Sequence, residues 1–302
     1  RSSLRSAEIG QALIIVALMP SLARFGQESR SYALAMLLTA CSWVALLKAV
    51  ENRPGSTGTE ARPWWILHSV LSVAGVLSHS FVILQVMAQA ASLLVLADPK
   101  PIVARFVRSV APAVVIVTAL SLAGLDVLAT WIPPIDIAQI VDVGSVLFGP
   151  IGLLLIPLTA VSAHGAIVLV RRSISEEPSE RWSTLFPVAW ALIPVVLLIA
   201  ISVVRPYLIG RYLVPSAPAL ALLASVGVSD LDRRIVGRRG PIRLTGWRRL
   251  VGRPVATVLV ALLVWGQVQS HRDIGYDWRG AAGLVAARVQ PGDGLVFPND
   301  DF

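Results

Sequence analysis

Charge is scarce in this sequence and cysteine is nearly absent. Only 15% of its 302 residues are charged, against about 25% in an ordinary soluble domain. The single cysteine, Cys41, rules out an intramolecular disulfide and lies in an apolar run, where a small helix- or lipid-facing residue is expected. There is no Asn-X-Ser/Thr sequon, no His-X3-His and no paired cysteine, so the sequence offers no zinc-type ligand spacing. A Walker loop, a dinucleotide fingerprint and a nucleophile elbow are all missing as well, which removes the common signatures of nucleotide chemistry and serine hydrolysis.

What is present is apolar length. Hydrophobic residues make up 55% of the chain and its mean hydropathy is +0.72. Apolar runs of roughly 17 to 25 residues recur along it, the length that crosses a bilayer core. The expectation is an all-α polytopic membrane protein with about nine transmembrane helices, near residues 9–24, 32–50, 64–79, 81–97, 109–130, 146–170, 185–204, 213–229 and 254–268. With a cytoplasmic N-terminus, 19 of the 26 lysines and arginines fall on the inside and 7 outside, which is the bias that sets orientation. Eight of the inner arginines lie in the segment "DLDRRIVGRRGPIRLTGWRRLVGR". It lacks interleaved aromatics, so it reads as an orientation signal and a contact for membrane lipids, with no nucleic-acid partner. Trp64, Trp65, Trp131, Trp182 and Trp265 fall near span ends, where indole rings favour the headgroup region.

Past the last span the pattern changes. Residues 278–289 have helical spacing, "PGDG" reads as a turn, and Leu295 to Phe297 begin a strand. This divides the chain into a transmembrane domain, 1–268, and the start of an extracytoplasmic α/β domain, 269–302. The first residue is Arg1, and no cleavable signal peptide is visible, so the chain is read as a piece of a longer plasma-membrane protein with its C-terminal part outside.

With that orientation, most polar groups worth attention gather on the outer face. The stretch "RFGQESRSYAL" packs Arg24, Gln27, Glu28, Arg30 and Tyr32 between two apolar runs. Glu28 and Tyr32, at i,i+4, can share a helix face. They either line a site or simply end a hairpin in water. His79, in "LSHSF", suits a metal, a phosphate or plain turn solvation. Arg205, Tyr207, Arg211 and Tyr212, in "RPYLIGRY", make a clamp for a phosphate headgroup or an interfacial anchor. Asp136, Asp142 and the stretch from Asp277 to Arg279 complete the outer set. Within the spans, Asp126, Gln85 and Gln89 point to interhelical hydrogen bonds, and His68 and His164 to hydrogen-bonded packing.

Four segments carry a family resemblance. "LARFGQESRSYALAMLLTACSWVALLKAV", "LSHSFVILQVMAQ", "GRYLVPSAPALALLASVGV" and "YDWRGAAGLVAARVQPGDGLVF" are similar, in order, to motifs of bacterial integral-membrane glycosyltransferases of the GT-C superfamily, the protein mannosyltransferase-like group. The resemblance implies transfer of a sugar, often mannose, from a polyprenyl-phosphate donor to a glycan, lipid or protein acceptor at the outer face, with inversion at the anomeric carbon. It implies that Gln27, Glu28, Arg30 and Tyr32 belong to the outer-face motif, that His79 is the histidine of the hairpin turn, and that Arg211 and Tyr212 are the late arginine-tyrosine pair. Glu28 and His79 are then expected at the metal or acceptor site, and Arg205 or Arg211 at the carrier phosphate. A divalent metal or arginines would stabilise the departing phosphate. The family's acidic pair, its catalytic base, is expected upstream of Arg1. Serine in "QESRSY" and "SHS" depart from the family pattern. Two other classes stay open: a secondary transporter or lipid flippase, and a non-catalytic scaffold or transferase remnant.

Overall fold

The computed structural model describes residues 6–27, 31–52, 61–96, 98–123, 132, 134–149, 154–237, 254–272, 278–288 and 290. Among these the chain is helical, without a strand, and forms 12 α-helices. In order they are α1 Ser6–Leu18, α2 Pro20–Gln27, α3 Tyr32–Glu51, α4 Arg62–Ser78, α5 Ile83–Ser92, α6 Lys100–Leu122 and α7 Ile137–Phe148. Then come α8 Leu155–Ile174, α9 Pro178–Val204, α10 Ala217–Gly237, α11 Pro254–Arg272 and α12 Trp278–Arg288. Short 3-10 turns at Ser80–Val82, Leu93–Val95 and Gly210–Ser216 flank α5 and lead into α10.

Five helical stretches are long and apolar enough to cross a membrane: Tyr32–Glu51, Lys100–Leu122, Leu155–Ile174, Glu180–Val204 and Gly210–Ile235. The bent pair of α1 and α2 makes up to six. Large apolar side chains stand exposed on these helices, among them Leu37, Val115, Val196 and Val203. Side chains like these, turned outward on several helices at once, are consistent with a lipid-facing surface.

The expected spans shift for local reasons. The run at 9–24 is broken after Met19, because Pro20 has no N–H to continue the ladder, and α1 and α2 meet at 56°. The run at 146–170 is divided at Gly149, whose φ of 101° is a conformation that suits glycine and ends α7. The run at 81–97 is a short helix between two 3-10 turns. Two helices begin well before their apolar runs: α6 already at Lys100 and α9 at Pro178. Charged side chains at a span end reach into the headgroup layer without ending the helix. The "PGDG" turn and the expected strand at Leu295–Phe297 lie outside the described residues, as do Asp126 and Asp277.

The tightest crossing is between α8 and α10. A Cβ on Gly165 would stand 1.8 Å from the carbonyl oxygen of Leu223, and one on Gly227 would stand 2.0 Å from that of Val161. Only glycine permits this approach, the small-residue contact typical of helices packed in lipid. Elsewhere the interior is joined by buried amides and hydroxyls. The His68 ring lies between Ser109 at 3.0 Å and the Gln89 carbonyl at 3.1 Å, and the Gln89 amide donates to the Ser42 hydroxyl at 2.8 Å. Helices α3, α4, α5 and α6 are thereby tied through one residue each. Gln85 donates to Ser216 at 2.7 Å, and Trp190 to the Pro215 carbonyl at 3.0 Å, which fixes the turn before α10 against α5 and α9. The interhelical roles expected of Gln85, Gln89 and His68 are thus realised. Cys41 is exposed.

Candidate functional site

One end of the bundle collects rings. Here α2 and α4 end, α3 begins, α9 gives way to its following loop, and the 3-10 turn leads into α10. The backbone turns sharply at this end, so the side chains of five separate segments reach one another. Phe25 meets Tyr32 edge-on with centroids 5.4 Å apart, and Tyr32 lies 5.2 Å from the His79 ring. His79 lies 5.4 Å from Tyr212 and 6.0 Å from Phe81. Phe81 stacks on Tyr212 at 4.0 Å and 12°, and meets Tyr207 at 5.8 Å. Cations sit at both ends of the row: the Arg24 guanidinium is 5.9 Å from the Phe25 ring centre, and that of Arg205 is 5.3 Å from Tyr207. Guanidinium over a ring face is a favourable placement in partly dry surroundings.

His79 is the centre of this row. It follows α4 in extended backbone, and its own N–H is held by the Gly75 carbonyl at 2.9 Å. Burial first, and the nearby Arg211 charge second, push its imidazole down from 6.5 to about 4. At neutral pH the ring is therefore uncharged, with one nitrogen to donate and one to accept. Such a ring can orient a hydroxyl or a phosphate oxygen without adding charge.

Of the residues singled out from the sequence, Tyr32, His79, Arg211 and Tyr212 come together here, and Arg205 lies at the edge through Tyr207. Gln27 ends α2, two residues past Phe25. Glu28 and Arg30 lie outside the described residues. Asp136 caps the N-terminus of α7, accepting from the Gln139 N–H at 2.8 Å, which is a structural task. Reading the sequence for polar groups passed over Phe25 and Phe81. The signal for Phe81 was its place two residues after His79 in "SHSF", and for Phe25 its place after Arg24.

The described part of this cage does not fit a divalent cation. No three His, Cys, Asp or Glu side chains come together among the described residues, and the imidazole at its centre lies within the field of Arg211. What the arrangement does suit is a ligand with an apolar or C–H-rich face for the rings and an anionic group for the arginines. No protein-family model, no curated protein and no solved structure matches the chain.

Proposed function

We propose that this chain is the membrane domain of a glycosyltransferase of the GT-C type, with about nine spans and a multi-pass plasma-membrane location. In this reading it moves a sugar, mannose in the first instance, from a polyprenyl-phosphate donor to an acceptor hydroxyl on the outer face. Its N-terminal end is cytoplasmic, and residues 269–302 open an extracytoplasmic α/β domain. The observation that supports it is the row of rings from Phe25 to Tyr207, centred on a neutral His79, with Arg24, Arg205 and Arg211 along it.

The chemistry is a single displacement. The acceptor oxygen forms a bond to the anomeric carbon, the bond from that carbon to the phosphate oxygen breaks, and the electron pair leaves with the polyprenyl phosphate. The acceptor proton passes to the acidic pair that the resemblance implies as the base, and Glu28, next after Gln27, belongs to the acceptor site. Arg205 and Arg211 hold the phosphate as its charge grows. Phe81, Tyr207 and Tyr212 offer ring faces to the sugar, and Tyr32, Gln27 and Arg30 belong to the acceptor side. His79 orients a hydroxyl.

The test is transfer of radiolabelled mannose from polyprenyl-phosphate-mannose in membranes carrying the full-length protein, beside Glu28→Gln and Arg211→Ala at equal expression. Loss of the acceptor-site carboxylate or of a transition-state cation is expected to cost roughly 10²- to 10³-fold in rate. Transfer of another polyprenyl-linked sugar would change the donor alone. Use of no such donor, or variants as fast as wild type, would overturn the reading. A lipid transporter is the second reading, favoured by the 56° break between α1 and α2. It predicts that vesicles move the lipid-linked sugar across the bilayer without consuming it.

A further inference from the structure

The opposite end of the bundle carries a second site. The stretch Gly210–Ile235 is nearly continuous helix, so Tyr212 in the aromatic cage and Arg233 stand about 30 Å apart along it. At the Arg233 end, the last turns of α8 and α10 enclose an open cavity of about 350 Å³ lined by Arg171, Arg172, Arg233, Arg234 and Asp230. The carboxylates there are already engaged. Glu8, with no exposed side-chain surface, accepts two bonds from Arg172, at 2.8 and 3.3 Å, and lies 3.5 Å from Arg233. Asp230 lies 2.6 Å from Arg234, 3.6 Å from Arg233 and 3.0 Å from His164. Three guanidiniums, those of Arg172, Arg233 and Arg234, thus share two carboxylates. Arg171 is exposed and has no carboxylate partner among the described residues. The two carboxylates hold their arginines in fixed positions around the cavity, and a net excess of positive charge faces it.

A second feature lies on the same face of α8. An apolar groove of about 270 Å³ runs between Pro157 and Val161 of α8 and Val258 and Leu262 of α11. Pro157, Val161, Val168, Arg171 and Ser175 follow one another at three- to seven-residue spacing, so one stripe of the helix leads from groove to cavity. From Val161 to Arg171 the helix rises about 15 Å, half the thickness of a hydrocarbon core of about 30 Å. Ile167 and Ile174, four residues before and three after Arg171, are exposed and apolar.

We propose that the arginine cavity at the ends of α8 and α10 binds the phosphate of an anionic phospholipid, whose acyl chain follows α8 into the groove against α11. The cavity alone would suit any phosphate. The groove one leaflet deep and the exposed isoleucines beside Arg171 favour the lipid source. The Lys/Arg bias turns this end toward the cytoplasm, where anionic headgroups are concentrated. This site is independent of the chemistry at the aromatic end.

The experiment is native mass spectrometry of the purified full chain given equimolar phosphatidylglycerol and phosphatidylcholine with matched acyl chains. Wild type is expected to retain the anionic lipid preferentially. Each arginine near an anionic headgroup is worth on the order of fivefold in binding. Arg171→Gln should therefore lower retention by about fivefold, and Arg171→Gln/Arg234→Gln by roughly 25-fold, whereas Arg62→Gln at the start of α4 should leave it unchanged. The Arg171 single variant keeps the test informative should the double variant fold poorly. A tenfold excess of glycerol phosphate should fail to displace the lipid; displacement would assign the cavity to a soluble phosphate and overturn the lipid. Equal retention of the two lipids by wild type, or unchanged retention by Arg171→Gln, would overturn the site.

Discussion

The two ends of this bundle use the same residue in two ways. At one end, arginines are set against carboxylates: Arg172 and Arg233 on Glu8, Arg233 and Arg234 on Asp230. At the other, Arg24 and Arg205 lie over the rings of Phe25 and Tyr207. The first arrangement joins α1, α8 and α10 through a fully buried carboxylate, so it bears on stability. The second places cations at the edges of a row of rings whose central histidine is neutral, so it bears on what can be bound. If the contrast is right, variants at the first end should change unfolding far more than those at the second.

The largest effect is expected from Glu8→Gln. Removing one member of a buried ion pair costs roughly 3–5 kcal/mol because the other charge is left behind. Arg172 and Arg233 keep 21% and 40% exposure, so solvent would relieve part of this, leaving about 2–3 kcal/mol. The check is thermal unfolding of the detergent-purified chain, with Arg205→Gln as the partner measurement at the aromatic end. Should the two lower Tm equally, the division of labour between the ends fails.

Much of this was legible in the sequence, and the failures have physical causes. Apolar runs located the five helices that are long and apolar enough to cross a membrane, because transfer free energy is read directly from composition. They misplaced helix ends at Lys100 and Pro178, since a helix can continue past the point where charge begins. They also merged segments across Pro20 and Gly149, where backbone chemistry rather than hydropathy sets the break. At the candidate site, Tyr32, His79 and Tyr212 stood out as polar residues in apolar surroundings. Phe25 and Phe81 did not, because an aromatic ring in or beside an apolar run is unremarkable until its neighbours are known. The pairing of Glu8 with Arg172, 164 positions apart, left no local pattern to find.

A smaller effect is expected at His79, and it depends on pH. The folded imidazole titrates near 4 and the unfolded one near 6.5. Above 6.5 both are neutral and nothing is lost. As pH falls below 6.5, the unfolded chain takes up a proton that the folded chain refuses, so stability declines until about pH 4, where the folded ring is protonated too. Over this window the loss is on the order of 1–2 kcal/mol once partial exposure is allowed for. His79→Phe lacks this dependence, so the Tm advantage of wild type over the variant should shrink from pH 7 to pH 5. A pH-independent difference would mean that the ring titrates alike in the folded and unfolded chain, and an advantage that grows toward pH 5 would mean that the fold favours the charged ring; either would remove the dry, neutral centre of the cage.

The smallest effect sharpens the contrast by holding distance fixed. Lys48 and Glu51 meet at 2.9 Å, nearly the 2.8 Å of Arg172 and Glu8, yet both side chains of the former pair are 45% exposed. In water the Coulomb gain is small and is offset by the entropy of holding two flexible side chains, so Lys48→Gln should change stability by only about 0–0.5 kcal/mol. Glu8→Gln and Lys48→Gln measured side by side therefore separate burial from proximity. A loss at Lys48 as large as that at Glu8 would mean that the surroundings of Lys48 are far drier than its exposure indicates, and that the arginine-rich end is not singular in locking helices together.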